Sequence, residues 1–574
     1  VASVNKGFEV QTETVLHLED YLPDRKEWWT GTSASLVEIP FGMTNTKAMA
    51  QLRITQESGQ NSAVVIGIPG SGKSVFLHSI IVDAAVKYSP DELQMYLLDF
   101  SGVEFNTYAN HKLPHARVIA PEAEREFGLS VLRELKEEGA RRMTLCRDND
   151  VTSIVEYRKR NPNAVMPRLL VIIDEFQKIF EVENDAISKE ANSIIHIIIQ
   201  EYRKFGINLI LATQRIPSSS VLPRDLIANR VVFKSAPNDF SALISWQNGI
   251  TMPALHTGQC IYNAESGASY ANEQAQGFFI PLRNIEKLVD ELNEKARSQG
   301  RDNKDLIVFR GNDLPDFKNR RLPKKYMVVQ DIPEEVPVCL GQSIAISDTD
   351  VCAVLRKEST NNLLIIGGDK DVAQNMMLYA ALSTTLSHTS DSASFYLFNF
   401  MRPTDEQYNL PAENFEGMPF PVRLIEKMSE VKDVLTEVKN EIDSRKQDET
   451  KALTHIYLNF FAFQLGRVFD RGGRRGDDVS EEGQLLDYIL RQGPAYGVFT
   501  LLQVDKMDGL ARIGTPITCF THRAVMQISE NESIKLMDSP LANRLFIMSR
   551  PSSKFRAFYR DQNKNVTIKF KPYK

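Results

Sequence analysis

The 574-residue sequence has few cysteines and no apolar run long enough to cross a membrane. Its five cysteines are widely spaced and form no C-x-x-C pair, which is typical of reduced thiols, and its nine histidines do not cluster with them at zinc-ligand spacing. No apolar stretch approaches the roughly 20 residues that a bilayer requires, and no signal peptide is present. These absences predict a cytoplasmic segment without structural zinc. Because the chain begins with Val1, we expect a piece of a longer protein, whose missing upstream region could carry an anchor.

An excess of charge of one sign is also missing. The net charge is −6, which is small for this length, so no overall field attracts nucleic acid and any DNA contact must come from local basic patches. The length exceeds what one hydrophobic core usually covers and predicts two domains of about 250–300 residues each.

The sequence does contain a complete phosphate-binding loop. Residues 67–74 read Gly-Ile-Pro-Gly-Ser-Gly-Lys-Ser and match G-x-x-x-x-G-K-[S/T] at every fixed position. An apolar run precedes the loop and apolar residues at helical spacing follow it, which is the context that the motif needs. We expect Lys73 to contact the β- and γ-phosphates of ATP and the Ser74 hydroxyl to ligate Mg²⁺; the alternative is a glycine-rich turn without nucleotide. The predicted nucleotide-binding residues are Gly67, Gly70, Ser71, Gly72, Lys73, Ser74 and Val75.

Later apolar segments end in polar residues, as strands do at the ligand edge of an open α/β sheet. The segment 167–176 ends in Asp174 and Glu175, which predicts a Walker B strand whose first carboxylate holds Mg²⁺ and whose second orients the attacking water. The segment 207–215 ends in Thr213 and Gln214, which we interpret as sensors of the γ-phosphate or, alternatively, as a polar strand end that only caps the sheet.

Alternating strands and helices predict an α/β fold with mainly parallel sheets flanked by helices. The predicted organisation is a cover segment over 1–60, an active domain over 61–300, a linker over 301–340 and a second domain over 341–574. The Gly/Arg-rich segment 467–478 is interpreted as a solvated loop in preference to a contact with a phosphate backbone, because its flanking aspartates dilute the charge.

The second domain repeats the first in outline, which indicates an internal duplication. Its loop begins at Gly367 but has Val372, Ala373 and Gln374 where the first copy has the glycine, lysine and serine. The strand that matches the Walker B run has Phe461 and Ala462 in place of the two carboxylates. We therefore predict that the second copy is catalytically inactive.

With these residues assembled, the chain resembles the FtsK/SpoIIIE branch of the FtsK–HerA family of P-loop motors over nearly its whole length. It is especially similar to tandem forms in which an active module precedes a degenerate one, and also to the EssC/EccC motors of type VII secretion. The resemblance rests on Trp28-Trp29 with residues 37–42, on the loop 67–74, and on residues 96–100, 172–177, 205–206 and 212–215.

The resemblance implies two tandem RecA-like domains, ATP hydrolysis, assembly into a hexamer-like homo-oligomeric ring, and double-stranded DNA as cargo. Ring motors complete each site with an arginine from the neighbouring subunit, and Arg230 or Arg215 is our candidate for it; for Arg230 the alternative is a structural ion pair. The first hypothesis is an ATP-driven DNA translocase that works with other subunits of a bacterial segregation or defence system. The alternatives are a polypeptide-export motor and a nucleotide-gated scaffold.

Overall fold

The computed structural model describes most of the chain in two compact units, unit 1 (Val1–Gly311) and unit 2 (Asn312–Lys574). The described residues are 15–57, 59–102, 104–182, 185–217, 222–245, 255–321, 332–347, 349–448, 454–472, 478–514, 517–545 and 555–574. Residues 473–477 of the predicted Gly/Arg-rich loop therefore lie outside the described part of the chain. Within that part, no helix combines the length and the apolar character needed to span a bilayer.

Unit 1 is built around one large sheet. Among its described residues the strands are β1 (Leu36–Thr44), β2 (Met49–Thr55), β3 (Ala63–Ile66), β4 (Leu93–Asp99), β5 (Ala116–Ala120), β6 (Arg168–Asp174), β7 (Ile207–Thr213), β8 (Asn229–Phe233), β9 (Gln259–Asn263), β10 (Glu273–Gly277) and β11 (Ile307–Val308). The α-helices are α1 (Lys73–Lys87), α2 (Asn106–His111), α3 (Arg125–Asp148), α4 (Ile154–Arg160), α5 (Ala186–Gln200), α6 (Pro237–Leu243) and α7 (Leu282–Ser298).

The strands of unit 1 lie in the order β11-β5-β4-β6-β7-β3-β8-β9-β10-β1-β2. Every pair from β11 to β8 is parallel, and the pairs beyond β8 are antiparallel. Every residue of β3, β6 and β7 is buried, and most of these residues are Val, Ile, Leu or Ala, as expected for parallel strands that are covered on both faces. The predicted fold class, a mainly parallel sheet flanked by helices, is confirmed.

Unit 2 contains a second sheet. Its described strands are β12 (Val336–Ser343), β13 (Asp350–Leu355), β14 (Leu363–Ile366), β15 (Ala393–Asn399), β16 (Val422–Ile425), β17 (His455–Phe461), β18 (Val498–Val504), β19 (His522–Val525), β20 (Ala557–Asp561) and β21 (Val566–Pro572). Its described α-helices are α8 (Lys370–Thr385), α9 (Leu410–Phe415), α10 (Met428–Gln447), α11 (Glu481–Gln492), α12 (Asp508–Ala511) and α13 (Glu530–Met537).

The two sheets have the same topology. Unit 2 has the order β13-β12-β21-β20-β19-β14-β18-β17-β15-β16, which is the order of unit 1 read from its other edge without β11. The strand before the phosphate loop thus corresponds to β14, and the Walker B strand to β17. The segment predicted as a linker, 301–340, contains β11 and the beginning of β12, and the boundary between the units falls at residue 311.

A buried arginine occupies the same place in both units. Arg230, in β8, donates hydrogen bonds to three backbone carbonyls, and Arg523, in β19, does the same. The acceptors of Arg230 are the carbonyls of Ile227 (3.3 Å), Leu243 (2.5 Å) and Arg224 (2.8 Å). Those of Arg523 are Phe520 (3.0 Å), Leu536 (2.7 Å) and Ile517 (3.1 Å), at the same sequence separations of 3, 13 and 6 residues. The duplication has therefore kept an arginine that ties the start of this strand to its flanking segments.

We expect Arg230→Ala and Arg523→Ala each to destabilise the unit that carries the substitution. Hydrogen bonds to a charged group contribute about 1.5–3 kcal/mol, and the truncation also leaves carbonyls without a donor, so a loss of about 3 kcal/mol is expected in each case. Hydrogen exchange under increasing urea, read separately for peptides of each unit, measures it. Arg283, which is exposed on α7, supplies a control alanine variant. Unchanged protection of unit 1 in Arg230→Ala would show that these hydrogen bonds do not hold β8.

Candidate nucleotide site

The ends of four parallel strands meet at one edge of the unit 1 sheet. Asp99 at the end of β4 is the register partner of Asp174 at the end of β6, and Ile66 at the end of β3 is the partner of Thr213 at the end of β7. Because the strands are parallel, their carboxyl ends, and the polar residues there, come together although they are far apart in the chain. The predicted site residues are gathered by this strand order.

The phosphate loop joins β3 to α1 and leaves the first turn of that helix without a side-chain cap. Gly70 and Gly72 have φ of +77° and +106°, a conformation that side chains other than glycine rarely adopt. A Cβ at Gly72 would also lie 2.8 Å from the Cα of Gly258. The Ser71 hydroxyl is buried and has no hydrogen-bond partner among the described residues. Backbone N–H groups at an uncapped helix start are the donors that bind phosphate in this motif.

Lys73 lies against both predicted carboxylates. Its ammonium donates hydrogen bonds to Asp174 and, at 2.9 Å, to Glu175 Oε1, and all three side chains are buried. Burial alone lowers the pKa of the lysine, but the two carboxylates outweigh burial and raise it. For Asp174, burial outweighs the lysine and raises its pKa to about 6. Lys73 therefore carries a positive charge, and its ammonium contacts the two carboxylates at the end of β6.

Glu175 is further held by a side chain that the sequence analysis did not assign. Gln177 donates from Nε2 to Glu175 Oε2 at 2.6 Å, and its own Oε1 lies 2.7 Å from the donor hydroxyl of Thr213. Glu175 also has a left-handed backbone with φ of +54°. Thr213 is fully buried, so it lies behind the site and reaches Glu175 through Gln177. In the sequence Gln177 is marked only by its place two residues after Glu175, at the end of the segment 172–177 on which the resemblance rests.

A second unassigned residue, Glu104, lies beside the serine of the loop. Its Oε1 accepts a hydrogen bond from the Ser74 hydroxyl at 2.7 Å, and its Oε2 lies 3.5 Å from His78 Nε2. The hydrogen bond with His78 lowers the pKa of the Glu104 carboxyl, with a further contribution from Ser74. The sequence offered one clue, since Glu104 follows the acidic end of β4 by five residues.

One cavity of about 370 Å³ collects most of the predicted residues. Its lining is formed by Ile68, Pro69, Gly70, Gly72, Lys73, Ser74, Val75, Ser101, Glu104, Asp174, Glu175, Gln214 and Thr257. Gly67 and Ser71 belong to the same loop but lie behind the residues that line the cavity. The N–H of Gly67 donates a hydrogen bond to the carbonyl of Thr213 at 3.2 Å. Gln214 is among the described lining residues, whereas Thr213 is fully buried behind them.

The two candidate arginines differ in their exposure to solvent. Arg230 is 7 % exposed and its guanidinium donates to carbonyls of its own unit. This geometry favours the structural alternative for Arg230, with carbonyls in place of an ion pair, over the predicted role at a neighbouring subunit. Arg215 is exposed and follows the strand end that carries Gln214.

In unit 2 the helix start that corresponds to the start of α1 is capped by a side chain of the same unit. The Asp369 side chain accepts a hydrogen bond from Val372 N at 3.3 Å and caps α8, where α1 has no side-chain cap. Lys370 pairs with Asp405 at 2.5 Å instead of pointing to a strand-end carboxylate. Ala462 keeps the left-handed backbone of Glu175, with φ of +51°, but carries no carboxylate. A carboxylate at the helix start opposes phosphate binding.

Fold and site together define the P-loop class of nucleotide-binding proteins. Residues 21–218, within unit 1, match the model of the FtsK/SpoIIIE family. The DNA translocase FtsK of Caldanaerobacter subterraneus subsp. tengcongensis is 29 % identical over 270 residues, which are 46 % of this chain and 36 % of the relative. The ESX secretion system protein YukB of Bacillus subtilis is 28 % identical over 197 residues, 33 % of this chain and 13 % of the relative.

A solved structure resembles both units together. It is Thermomonospora curvata EccC, ATPases 2 and 3, in complex with a signal sequence peptide, with a TM-score of 0.62 and 13 % identity over 97 % of this chain and 98 % of that one. At this identity the likeness shows the fold alone. The chain spans about a third of the length of the FtsK relatives that it matches.

We expect Glu175→Gln to bind ATP with near-normal affinity and to lose turnover. The amide keeps the shape and the hydrogen bond from Gln177 but cannot take up a proton, so turnover falls by about 10²–10⁴-fold, the usual scale for a positioned base. Steady-state ATPase assays and equilibrium binding of a fluorescent ATP analogue measure the two effects. Lys73→Ala is the comparison, since it loses both binding and turnover. Turnover that survives in Lys73→Ala would mean that unit 2 hydrolyses ATP.

Proposed function

We propose that the chain is an ATP-driven translocase whose unit 1 hydrolyses ATP and moves double-stranded DNA. The observation that carries the proposal is the contact of Lys73 with Asp174 and Glu175 beside an uncapped phosphate loop, in a domain of the FtsK/SpoIIIE family. Unit 2 repeats the fold without the lysine and the carboxylates, and its helix start is capped by Asp369. In this proposal unit 2 does not hydrolyse ATP.

The residues present fit ATP with Mg²⁺. The unpartnered Ser71 hydroxyl, the open space beside Gly70 and the uncapped start of α1 form a cradle for phosphate oxygens. Ser74 and Asp174 are the residues that would hold Mg²⁺, since a hydroxyl and a carboxylate are the oxygen ligands that it prefers. The ion, when bound, supplies charge that offsets the phosphate oxygens.

The remaining chemistry belongs to side chains of unit 1. Lys73 donates to the β- and γ-phosphates, so its bonds to the two carboxylates loosen as phosphate enters. Glu175 accepts a hydrogen bond from the attacking water, in an orientation fixed by Gln177. Gln214 lines the cavity and contacts the γ-phosphate, and its neighbour Thr213 relays a shift of that strand end to Gln177.

None of the described residues that line the cavity is an arginine. We assign this role to Arg215 of a neighbouring copy in a ring, because its guanidinium is exposed and it lies beyond the strand end at the site. An arginine that neutralises charge on the transferring phosphoryl group accelerates related enzymes by about 10³–10⁵-fold.

A mixture of Arg215→Ala and Lys73→Ala proteins should therefore recover ATPase activity that neither protein has alone. Mixed interfaces pair an intact loop in one copy with an intact Arg215 in the next. Native mass spectrometry shows whether subunits exchange, and ATPase rates across mixing ratios give the recovery. Arg283→Ala, at an exposed position outside the cavity, is expected to be active alone. Full exchange without any recovery would exclude Arg215 as the donor.

Double-stranded DNA is expected to stimulate the ATPase of the wild-type chain, and the stimulation should fall as salt rises. Each phosphate contact releases counterions, so a plot of log affinity against log salt falls with a slope of about −0.9 for each phosphate neutralised. ATPase rates with and without DNA across a salt series measure both effects. Polypeptide-stimulated turnover without any response to DNA would instead support the export-motor alternative.

A further inference from the structure

The loop after β4 presents a carboxylate to the phosphate loop. Asp99, which is fully buried, accepts hydrogen bonds from the backbone N–H groups of Ser101 (2.5 Å), Gly102 (3.0 Å) and Glu104 (2.8 Å). These three hydrogen bonds to one buried side chain fix the turn that follows β4. As a result, Glu104 Oε1 lies 2.7 Å from the Ser74 hydroxyl.

The direction of this hydrogen bond matters for Ser74. A serine hydroxyl has one proton and two lone pairs, and here the proton points to Glu104. The two lone pairs of the Ser74 oxygen therefore remain available to a cation in the cavity, which Lys73 and Asp174 also line. The other Glu104 oxygen lies 3.5 Å from His78 Nε2, and His78 Nδ1 lies 3.0 Å from the buried Tyr108 hydroxyl, so the carboxylate is held from behind.

We propose that Glu104 is a positioning residue for Mg²⁺: it orients the Ser74 hydroxyl toward the ion and adds a negative charge to the surroundings of the ion without being the catalytic base. The inference rests on the proposed ATP site and adds a residue to it. The base position is already occupied by Glu175, which Gln177 and Lys73 hold on the β6 side of the cavity. Glu104 reaches the cavity from the β4 side and contacts the metal-binding serine instead.

Unit 2 supplies a matched control. Its strand β15 ends in Asn399, the counterpart of Asp99, and the following loop carries Asp405, which pairs with Lys370. That carboxylate contacts the degenerate loop, although through an ion pair with Lys370 instead of a hydrogen bond from a serine. Asp405→Asn removes a carboxylate from the equivalent loop but leaves unit 1 unchanged.

The test measures binding of a fluorescent ATP analogue to the full chain in EDTA and across a Mg²⁺ titration. In wild type, Mg²⁺ should tighten binding. In Glu104→Ala the Mg²⁺ concentration for half-maximal tightening should rise by roughly 10–100-fold, the usual effect of removing a partner of a metal ligand. Binding in EDTA should be retained or slightly tighter, since a negative charge near the phosphates is gone. Asp405→Asn should match wild type in both conditions.

Glu104→Gln keeps the shape and an acceptor for the serine proton while it removes the charge, so a smaller shift in the Mg²⁺ midpoint is expected. This variant also keeps the test valid if the alanine variant does not fold, which melting curves show. An unchanged midpoint in both folded variants would overturn the inference. An equal loss of nucleotide binding with and without Mg²⁺ would also overturn it, because Glu104 would then have only a structural role. A loss of turnover at an unchanged Mg²⁺ midpoint would overturn it as well, because Glu104 would then act as a catalytic base. Wild type that binds no nucleotide would overturn the proposed function itself.

Discussion

The parallel pairing of β3, β7, β6 and β4 is the constraint on which the site depends. It brings Ile66, Thr213, Asp174 and Asp99 to one edge of the sheet, where the loop and the two turns that follow β4 and β6 can converge. A carboxylate at this edge is buried, and a buried charge is costly unless a partner compensates it. The ammonium of Lys73 is that partner for Asp174 and Glu175. The same interaction that makes the edge stable therefore assembles the groups that we propose are catalytic.

Unit 2 shows that the fold and the chemistry are separable. It keeps the strand order, the left-handed residue after the Walker B strand and the buried arginine with its three carbonyls. It has no carboxylates at the end of β17, where Phe461 and Ala462 stand instead. Because these side chains are uncharged, no lysine is required to compensate them. The start of α8 is satisfied by Asp369 instead of by a ligand. Each loss is matched by a local substitute, which explains how the fold persists without the lysine and the carboxylates of unit 1.

Side chains outside the motifs control the orientation of the motif residues. Gln177 joins Glu175 to Thr213, and Glu104 joins Ser74 to the turn that Asp99 builds. A hydrogen bond to each oxygen of a carboxylate leaves it one orientation, and orientation is what water activation and metal binding require. The end of β7 is thereby tied to the site, since Thr213 bonds to Gln177 and Gln214 lines the cavity.

The sequence by itself determined the phosphate loop, the Walker B carboxylates, the α/β fold class and the duplication with an altered second copy. These features are local: spacing within a loop, apolar runs and residue identities at aligned positions carry them. It could not determine the partners of side chains that lie far apart in the chain. Gln177, Glu104 and the buried state of Arg230 became visible only in the tertiary structure. An arginine at the start of an apolar strand has the same local sequence whether it faces a neighbouring subunit or three carbonyls of its own unit, because which groups surround it depends on how distant segments pack.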